Sequence, residues 1–229
     1  MLEKALSLDQ AITLALNGSD SLYADGLMMT ITSTYTWIPV GLVMLYVVIK
    51  NNELPRLLTI AAMLVACVAV CTTLSEISKA VFERWRPSND PILMYTMNIV
   101  DGYRESGFGF FSAHAANTMS VAVFLSLLFR NTRLSLLMLL WSLLNGWSRI
   151  YLGVHYFGDV IVGFAVGAAI GGTLYFLYRR IASRFASQTR VISSEYTRGG
   201  YLKADINFLT LFLLLTFSVI AIIACVRCI

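Results

Sequence analysis

Residues 148–159 read SRIYLGVHYFGD and set Arg149, His155 and Asp159 within an otherwise apolar protein. If His155 lies in the first turn of a following helix, Asp159, four residues on, shares its face and accepts the Nδ1 proton. That contact fixes the imidazole tautomer and presents Nε2 as a base or a nucleophile. Arg149 comes just before a short turn at 152–153, where the chain can fold back and bring the guanidinium beside that histidine. Two donors at fixed spacing suit an oxyanion, and phosphate is the commonest biological choice.

The sequence on both sides of this stretch decides the fold class. The chain has 229 residues, of which 58% are hydrophobic and only 13% charged, with a mean hydropathy of +0.72. A soluble domain carries charge on about a quarter of its residues. The expectation is therefore an all-α, polytopic membrane protein forming one domain over residues 1–229. The net charge of +4 comes from basic residues in short connecting segments, with no stripe of interleaved aromatics. Nucleic acid is excluded as a partner on that ground. Cys67 and Cys71 sit one turn apart in an apolar helix and read as packing residues. Cys225 and Cys228 end a membrane helix instead of opening one after a strand, which argues against redox chemistry. No histidine accompanies either pair, so no metal site and no cofactor are expected.

Residues 1–26 carry Glu3, Asp9, Asp20 and Asp25 against Lys4, with Leu6, Leu8, Ile12 and Leu16 as apolar positions. They read as an amphipathic segment in the membrane interface, ending near Asn17 and Gly18; a signal peptide would need a basic start and a cleavage site. A six-helix bundle is expected over 27–226, with spans at about 27–49, 57–81, 112–129, 134–150, 157–178 and 206–226. Gly163, Gly167 and Gly171 recur every fourth residue in the fifth span and predict a close helix–helix approach.

Ten basic residues mark one membrane side as cytoplasmic: Lys50, Arg56, Arg130, Arg133, Arg179, Arg180, Arg184, Arg190, Arg198 and Lys203. The long connection at 82–111 then lies on the other side with both termini, and it alone has room to build a site. Two further groups flank it. Lys79 and Arg86 are two helical turns apart and share a face if the helix continues to Pro87. Ser112, Ala113 and His114 open the third span, where backbone N–H groups favour an anion. Arg84, Arg104 and Glu105 are candidates for head-group contacts. Taken singly, the cations read as snorkelling interface residues and each histidine as an interhelical hydrogen-bonding group. Taken together, the only two histidines lie at one membrane face, each at a helix start, with three cations beside them.

Lys79-x6-Arg86-Pro87, Ser112-Ala113-His114 and Ser148-Arg149-x5-His155-x3-Asp159 match, in order and spacing, the signature of the type 2 phosphatidic acid phosphatase (PAP2) superfamily. This chain has Phe111 and Ala113 where that family's second motif usually has Pro and Gly. The resemblance implies a helical core shared with vanadium haloperoxidases and a metal-independent lipid phosphatase. It also implies His155 as the nucleophile that forms a phosphohistidine, oriented by Asp159. His114 would protonate the leaving oxygen and then activate water. Lys79, Arg86, Ser112, Ala113, Ser148 and Arg149 would bind phosphate.

The expected partners are a lipid phosphate substrate and the bilayer, at the periplasmic face of a bacterial inner membrane. Undecaprenyl diphosphate, phosphatidylglycerol phosphate, phosphatidic acid and the phosphates of lipid A are the candidate substrates. A lipid phosphotransferase using the same phosphohistidine is the second reading. A transporter or channel is the third, ranked last because it needs polar residues across the midplane and the third to sixth spans show few.

Overall fold

The computed structural model describes residues 2–185 and 194–226, so Arg190 and Cys228 lie outside the described residues. Eight helices make up the described chain: α1 (Leu2–Leu16), α2 (Leu22–Thr32), α3 (Thr34–Asn51), α4 (Leu54–Phe82), α5 (Ala113–Phe129), α6 (Thr132–Tyr151), α7 (Phe157–Ala182) and α8 (Lys203–Val226). The connection from α4 to α5 carries only three short turns, at Pro87–Asn89, Leu93–Tyr95 and Val100–Gly102.

Local chemistry sets the helix ends. Ser21 caps α2 by accepting from Ala24 N–H at 3.3 Å, and Asn131 caps α6 by accepting from Leu134 N–H at 3.0 Å. Glu83 closes α4 in the left-handed region, its N–H bonding to Lys79 O. The first expected span is interrupted: Ser33 is extended, and α2 and α3 meet at 50°. The freed carbonyls at the break are satisfied by side chains, Thr36 Oγ1 donating to Thr30 O at 2.7 Å and Trp37 Nε1 to Ile31 O at 2.8 Å. Such repair lets a helix break at membrane depth.

Among the described residues, three helices (α4, α7 and α8) are long and apolar enough to cross a bilayer, and a fourth if α2 and α3 count as one bent span. Six such spans are therefore not shown. α5 has only 17 residues, and α6 carries buried Ser142, Asn145, Ser148 and Arg149. Most of α5 is shielded by neighbours, whereas α6 keeps an exposed apolar face at Leu136, Leu140, Leu143 and Trp147 opposite its buried polar one.

The tightest seam joins α5 to α7, where the predicted glycine stripe finds its partner. A Cβ on Gly163, Gly167 or Gly171 would fall 2.7, 2.3 and 2.3 Å from the carbonyl oxygens of Ser112, Ala116 and Ser120. Only hydrogen fits there, so the backbones touch over two full turns. Beside this seam, Cys67 and Cys71 of α4 are fully buried, as their reading as packing residues expects, with Cys71 Sγ 3.7 Å from Ala116 O. Phe124, Phe129, Leu125, Val47, Leu209 and Leu213 fill the rest of the core. Leu42, Val65, Phe176, Leu211 and Ile222 point outward, the pattern of a lipid-facing surface. The α5–α7 seam also fixes the level of the site, since Ser112 N–H donates to Asp159 O at 3.1 Å across the two helix starts.

Candidate active site

Three segments meet at that end of the bundle: the residues after α4, the start of α5, and the α6–α7 junction. Gly153, at φ +69°, reverses the chain after α6. The N–H groups of Val154 and His155 then both donate to Arg149 O, at 3.1 and 3.3 Å. The expected fold-back is present, but His155 sits two residues ahead of α7 instead of in its first turn.

His155 is 2% exposed. Arg86 Nη1 lies 3.2 Å from its Nε2, and because arginine can only donate, Nε2 carries the lone pair and the ring hydrogen sits on Nδ1. Nδ1 faces Asp159 Oδ2 at 3.6 Å, beyond hydrogen-bond length. It has no hydrogen-bond partner among the described residues. The expected Nδ1–Asp159 hydrogen bond is thus not made at rest, because the carboxylate is committed elsewhere. Tyr156 N–H donates to Oδ2 at 3.0 Å, and Arg84 Nη1 holds Oδ1 at 2.7 Å.

Arg86 and Arg149 converge on one carboxylate, that of Glu105. Arg86 Nη1 pairs with Oε2 at 2.9 Å, Arg149 Nη2 with Oε1, and Tyr103 OH adds a 3.2 Å bond to Oε1. Arg149 is braced by Thr32 Oγ1 at 2.7 Å and Tyr103 OH at 3.1 Å. Thr32 ends α2, so the unforeseen break at Ser33 places a hydroxyl on this arginine. Glu105 is therefore an internal partner of the cations and not a free head-group contact. Arg104, likewise, donates to Ser88 O, and Arg84 is taken up by carboxylates inside the protein.

The other predicted residues surround this centre unevenly. His114, the second residue of α5, places Nε2 3.2 Å from Asn145 Oδ1, whose amide nitrogen is used on Trp141 O. Asn145 and Arg149 are four apart on α6, so His114 lies on the arginine's side of that helix. Ser112 is buried and caps α5 by accepting from Ala115 N–H at 3.4 Å. Ala113 is the first residue of the same helix, at the positive end of its dipole. Ser148 is buried and donates to Asn145 O at 2.7 Å, behind the arginines. The helix does not carry Lys79 and Arg86 on one face: α4 stops at Phe82 because Glu83 turns left-handed. Lys79 pairs with Glu76 at 2.7 Å, yet it lines with Arg86 and Ser106 one cleft of about 570 Å³.

Burial and charge set the protonation states. Burial opposes ionisation of Glu105, but the guanidiniums of Arg149 and Arg86 outweigh it and hold the carboxyl at about 2. Burial pushes His155 down to about 4; Asp159 pulls the other way, and Arg149 and Arg86 add to the decrease. Burial also lowers Arg86, with Arg149 contributing. Acid should therefore weaken the fold. The unfolded chain protonates His155 below 6.5 while the folded chain stays neutral to about 4, so stability falls with pH across that window. Glu105 adds a further loss between 4.5 and about 2. Thermal melts of His155→Gln should show a shallower decline between pH 6.5 and 4 than wild type; equal slopes would contradict a buried neutral His155.

Two groups in this layer carried a weak sequence signal. Arg84-Trp85-Arg86 follows the helix outside any regular element, with Trp85 exposed between two arginines that reach Asp159 and His155. Asp9 and Thr13, four apart on α1, give a shared polar face. It docks on α7, where Gly158 N–H donates to Asp9 Oδ1 at 2.7 Å and Phe157 N–H to Thr13 Oγ1 at 3.0 Å. The segment expected to lie in the interface thus caps a helix start.

Comparison with known proteins agrees with this geometry. The PAP2 superfamily profile matches residues 56–183. A lipid A 4'-phosphatase of Bacteroides thetaiotaomicron is 35% identical over 83% of this chain and 86% of its own length. One from Porphyromonas gingivalis is 33% identical over 80% and 78%. Among solved structures, a transmembrane PAP2-type phosphatidylglycerolphosphate phosphatase from Bacillus subtilis superposes with a TM-score of 0.60 at 22% identity, covering 81% of this chain and 90% of that one. Aquifex aeolicus LpxE gives 0.57 at 22% identity, covering 72% and 92%. These two share the fold, and with the sequence relatives and the profile match they establish that the chain belongs to the PAP2 superfamily.

Proposed function

We infer that this protein is a membrane lipid phosphatase that works through a phosphohistidine, with the 4'-phosphate of lipid A as its leading substrate. The observation that carries the reaction class is the anion site around Glu105. Two buried guanidiniums there hold a carboxylate beside a histidine whose lone pair already points toward them. A phosphate monoester dianion in place of that carboxylate cancels the two positive charges, whereas the carboxylate leaves one uncompensated. Lipid A is preferred because the two relatives described above, each aligned over about four-fifths of this chain, are lipid A 4'-phosphatases.

In the proposed sequence, phosphate displaces Glu105 and its oxygens take up Arg86 and Arg149, with Lys79 at the cleft rim and Ser112 and Ala113 at the α5 start. His155 Nε2 donates its lone pair to phosphorus, the P–O bond to the lipid breaks, and His114 gives its proton to the departing oxygen. As Nε2 becomes bonded, the Nδ1 hydrogen gains acidity and Asp159 stabilises it. Water, deprotonated by His114, then attacks phosphorus, the N–P bond breaks, and inorganic phosphate leaves. The arginines stabilise charge developing on the equatorial oxygens, so the step needs no metal. Ser148 supports the α6 end that carries Arg149.

Purified protein should release phosphate from lipid A faster than from phosphatidic acid, phosphatidylglycerol phosphate or undecaprenyl diphosphate. It should do so equally with and without chelator, and vanadate should inhibit it by mimicking five-coordinate phosphorus. Restoration of a chelated enzyme by magnesium would overturn the metal-free step. Appearance of the phosphoryl group on a second lipid, with no free phosphate, would favour a phosphotransferase instead.

The basic residues of the α3–α4, α5–α6 and α7–α8 connections support six crossings with the site on the periplasmic side. Tyr95 in the long connection is 81% exposed. In a background without native cysteines, Tyr95→Cys should react with a membrane-impermeant thiol reagent in intact spheroplasts. Labelling only after lysis would reverse the orientation.

A further inference from the structure

The mechanism uses Asp159 but says nothing of what holds it. Its carboxylate is fully buried, and a buried carboxylate free to rotate or to protonate could not serve His155 in one geometry. Its two oxygens have separate tasks. Oδ2 accepts from Tyr156 N–H at 3.0 Å and faces His155 Nδ1 at 3.6 Å. Oδ1 is held by Arg84 Nη1 at 2.7 Å. Arg84 in turn spends its other nitrogen on Asp9 Oδ2 of α1, at 2.5 Å, and stacks with its central carbon 3.9 Å from the centre of the Tyr156 ring. Asp9 is itself fixed, since its second oxygen accepts from Gly158 N–H at the start of α7. The planar guanidinium is thus clamped at both ends and on one face, an arrangement that lysine cannot reproduce.

We propose that Arg84, braced by Asp9, is a positioning residue for the histidine. It fixes which oxygen of Asp159 faces Nδ1, so that the Nδ1 hydrogen has an acceptor when Nε2 attacks phosphorus. Arg84 touches neither substrate nor His155, and it acts through Asp159. Its pairing is strong enough to overcome burial, which alone would lower the guanidinium's basicity; Asp159 and Asp9 raise it instead. The N-terminal helix, far from the motifs in sequence, thereby joins the catalytic apparatus. This inference rests on the phosphatase reading for its kinetic part only, because the state of His155 can be followed without turnover.

The test compares Arg84→Gln, Arg84→Lys, Asp9→Asn and Thr13→Ala in the full chain. Thr13 anchors α1 to α7 through Phe157 N–H without touching Asp159, so it reports the purely structural part of the brace. Arg84→Gln should lower kcat on the order of 10–100-fold, the usual loss when an outer partner of a working histidine is removed, with KM little changed. Loss of its positive charge should also move the acid limb of kcat/KM upward from about 4. Arg84→Lys should keep the limb but not the rate, and Asp9→Asn, which leaves Arg84 charged but unbraced, should lower kcat by less than Arg84→Gln without moving the limb upward. Thr13→Ala should lower the melting temperature and leave the limb in place. NMR titration of the His155 ring in a His114→Ala background should show the same upward shift on Arg84→Gln, whether or not any lipid is hydrolysed. An unmoved titration in Arg84→Gln would overturn the proposal, as would Thr13→Ala shifting the limb equally. Should Arg84→Gln not fold, Asp9→Asn decides: a lower kcat at unchanged KM, with the Thr13→Ala rate unaffected, supports the brace, and an unchanged kcat overturns it. A wild type that releases no phosphate would instead refute the phosphatase reading, with the titration still judging Arg84.

Discussion

Replacing His155 with alanine is expected to reduce phosphate release by about 10⁴-fold or more, the order that loss of a covalent nucleophile costs. Glu105, the other side-chain acceptor on Arg86 among the described residues, leaves when phosphate binds, and methyl in place of imidazole leaves phosphorus without an attacking atom. His114→Ala should behave differently. General-acid help is worth typically 10²–10⁴-fold and matters least when the leaving oxygen is already acidic. Activity on a nitrophenyl phosphate should therefore survive His114→Ala better than activity on an alkyl lipid phosphate, and the ratio of the two should rise. Acid-quenched labelling with a radioactive substrate separates the roles. His155→Ala should trap no phosphoprotein, and His114→Ala should accumulate it with the activated substrate, because the water step also needs His114. A trappable phosphoprotein in His155→Ala but not in His114→Ala would exchange the two assignments.

The second large effect is on folding. Gly167→Leu should abolish assembly of the bundle, since even the first carbon of a side chain would lie 2.3 Å from Ala116 O. That atom belongs to backbone and cannot rotate away, so α5 and α7 must separate along their length. Gly167→Ala tests the same seam more gently, with a loss of at least about 1–3 kcal/mol, the range for overpacking a close-fitted core. Gly172, one position round from the stripe, meets nothing within 4 Å, and Gly172→Ala should be neutral in a thermal melt. Equal melting temperatures for Gly167→Ala and Gly172→Ala would mean that the seam is not tight.

What the sequence made legible follows from how each feature is encoded. The stripe at Gly163, Gly167 and Gly171 repeats at the helical period, so its close approach was readable, and only its partner α5 was not. The motif residues gather where short spacing and helix starts demand. Interactions across long stretches of chain left less trace. Asp9 and Arg84 are 75 residues apart, and each looked like an ordinary polar residue of its own segment. The break at Ser33 falls in an uncharged, hydroxyl-rich run, residues 30–36 (TITSTYT), with no glycine or proline to mark a stop, and its consequence, Thr32 on Arg149, decides how that arginine is held. The Lys79–Arg86 spacing suggested a shared helical face, but a single left-handed residue, Glu83, ended the helix first.

Glu105 has a consequence for what happens between turnovers. A carboxylate on the same chain competes for Arg86 and Arg149 at a local concentration that does not fall with dilution, in the millimolar range or above for a short tether. Its side chain is 34% exposed, so the exchange takes place at the mouth of the site instead of through the core. Inorganic phosphate, which has no acyl chains to hold it, is displaced by a rival that never diffuses away, whereas a lipid substrate brings binding energy from outside the charged centre. On the phosphatase reading, product departs by substitution and not by escape from two bare cations.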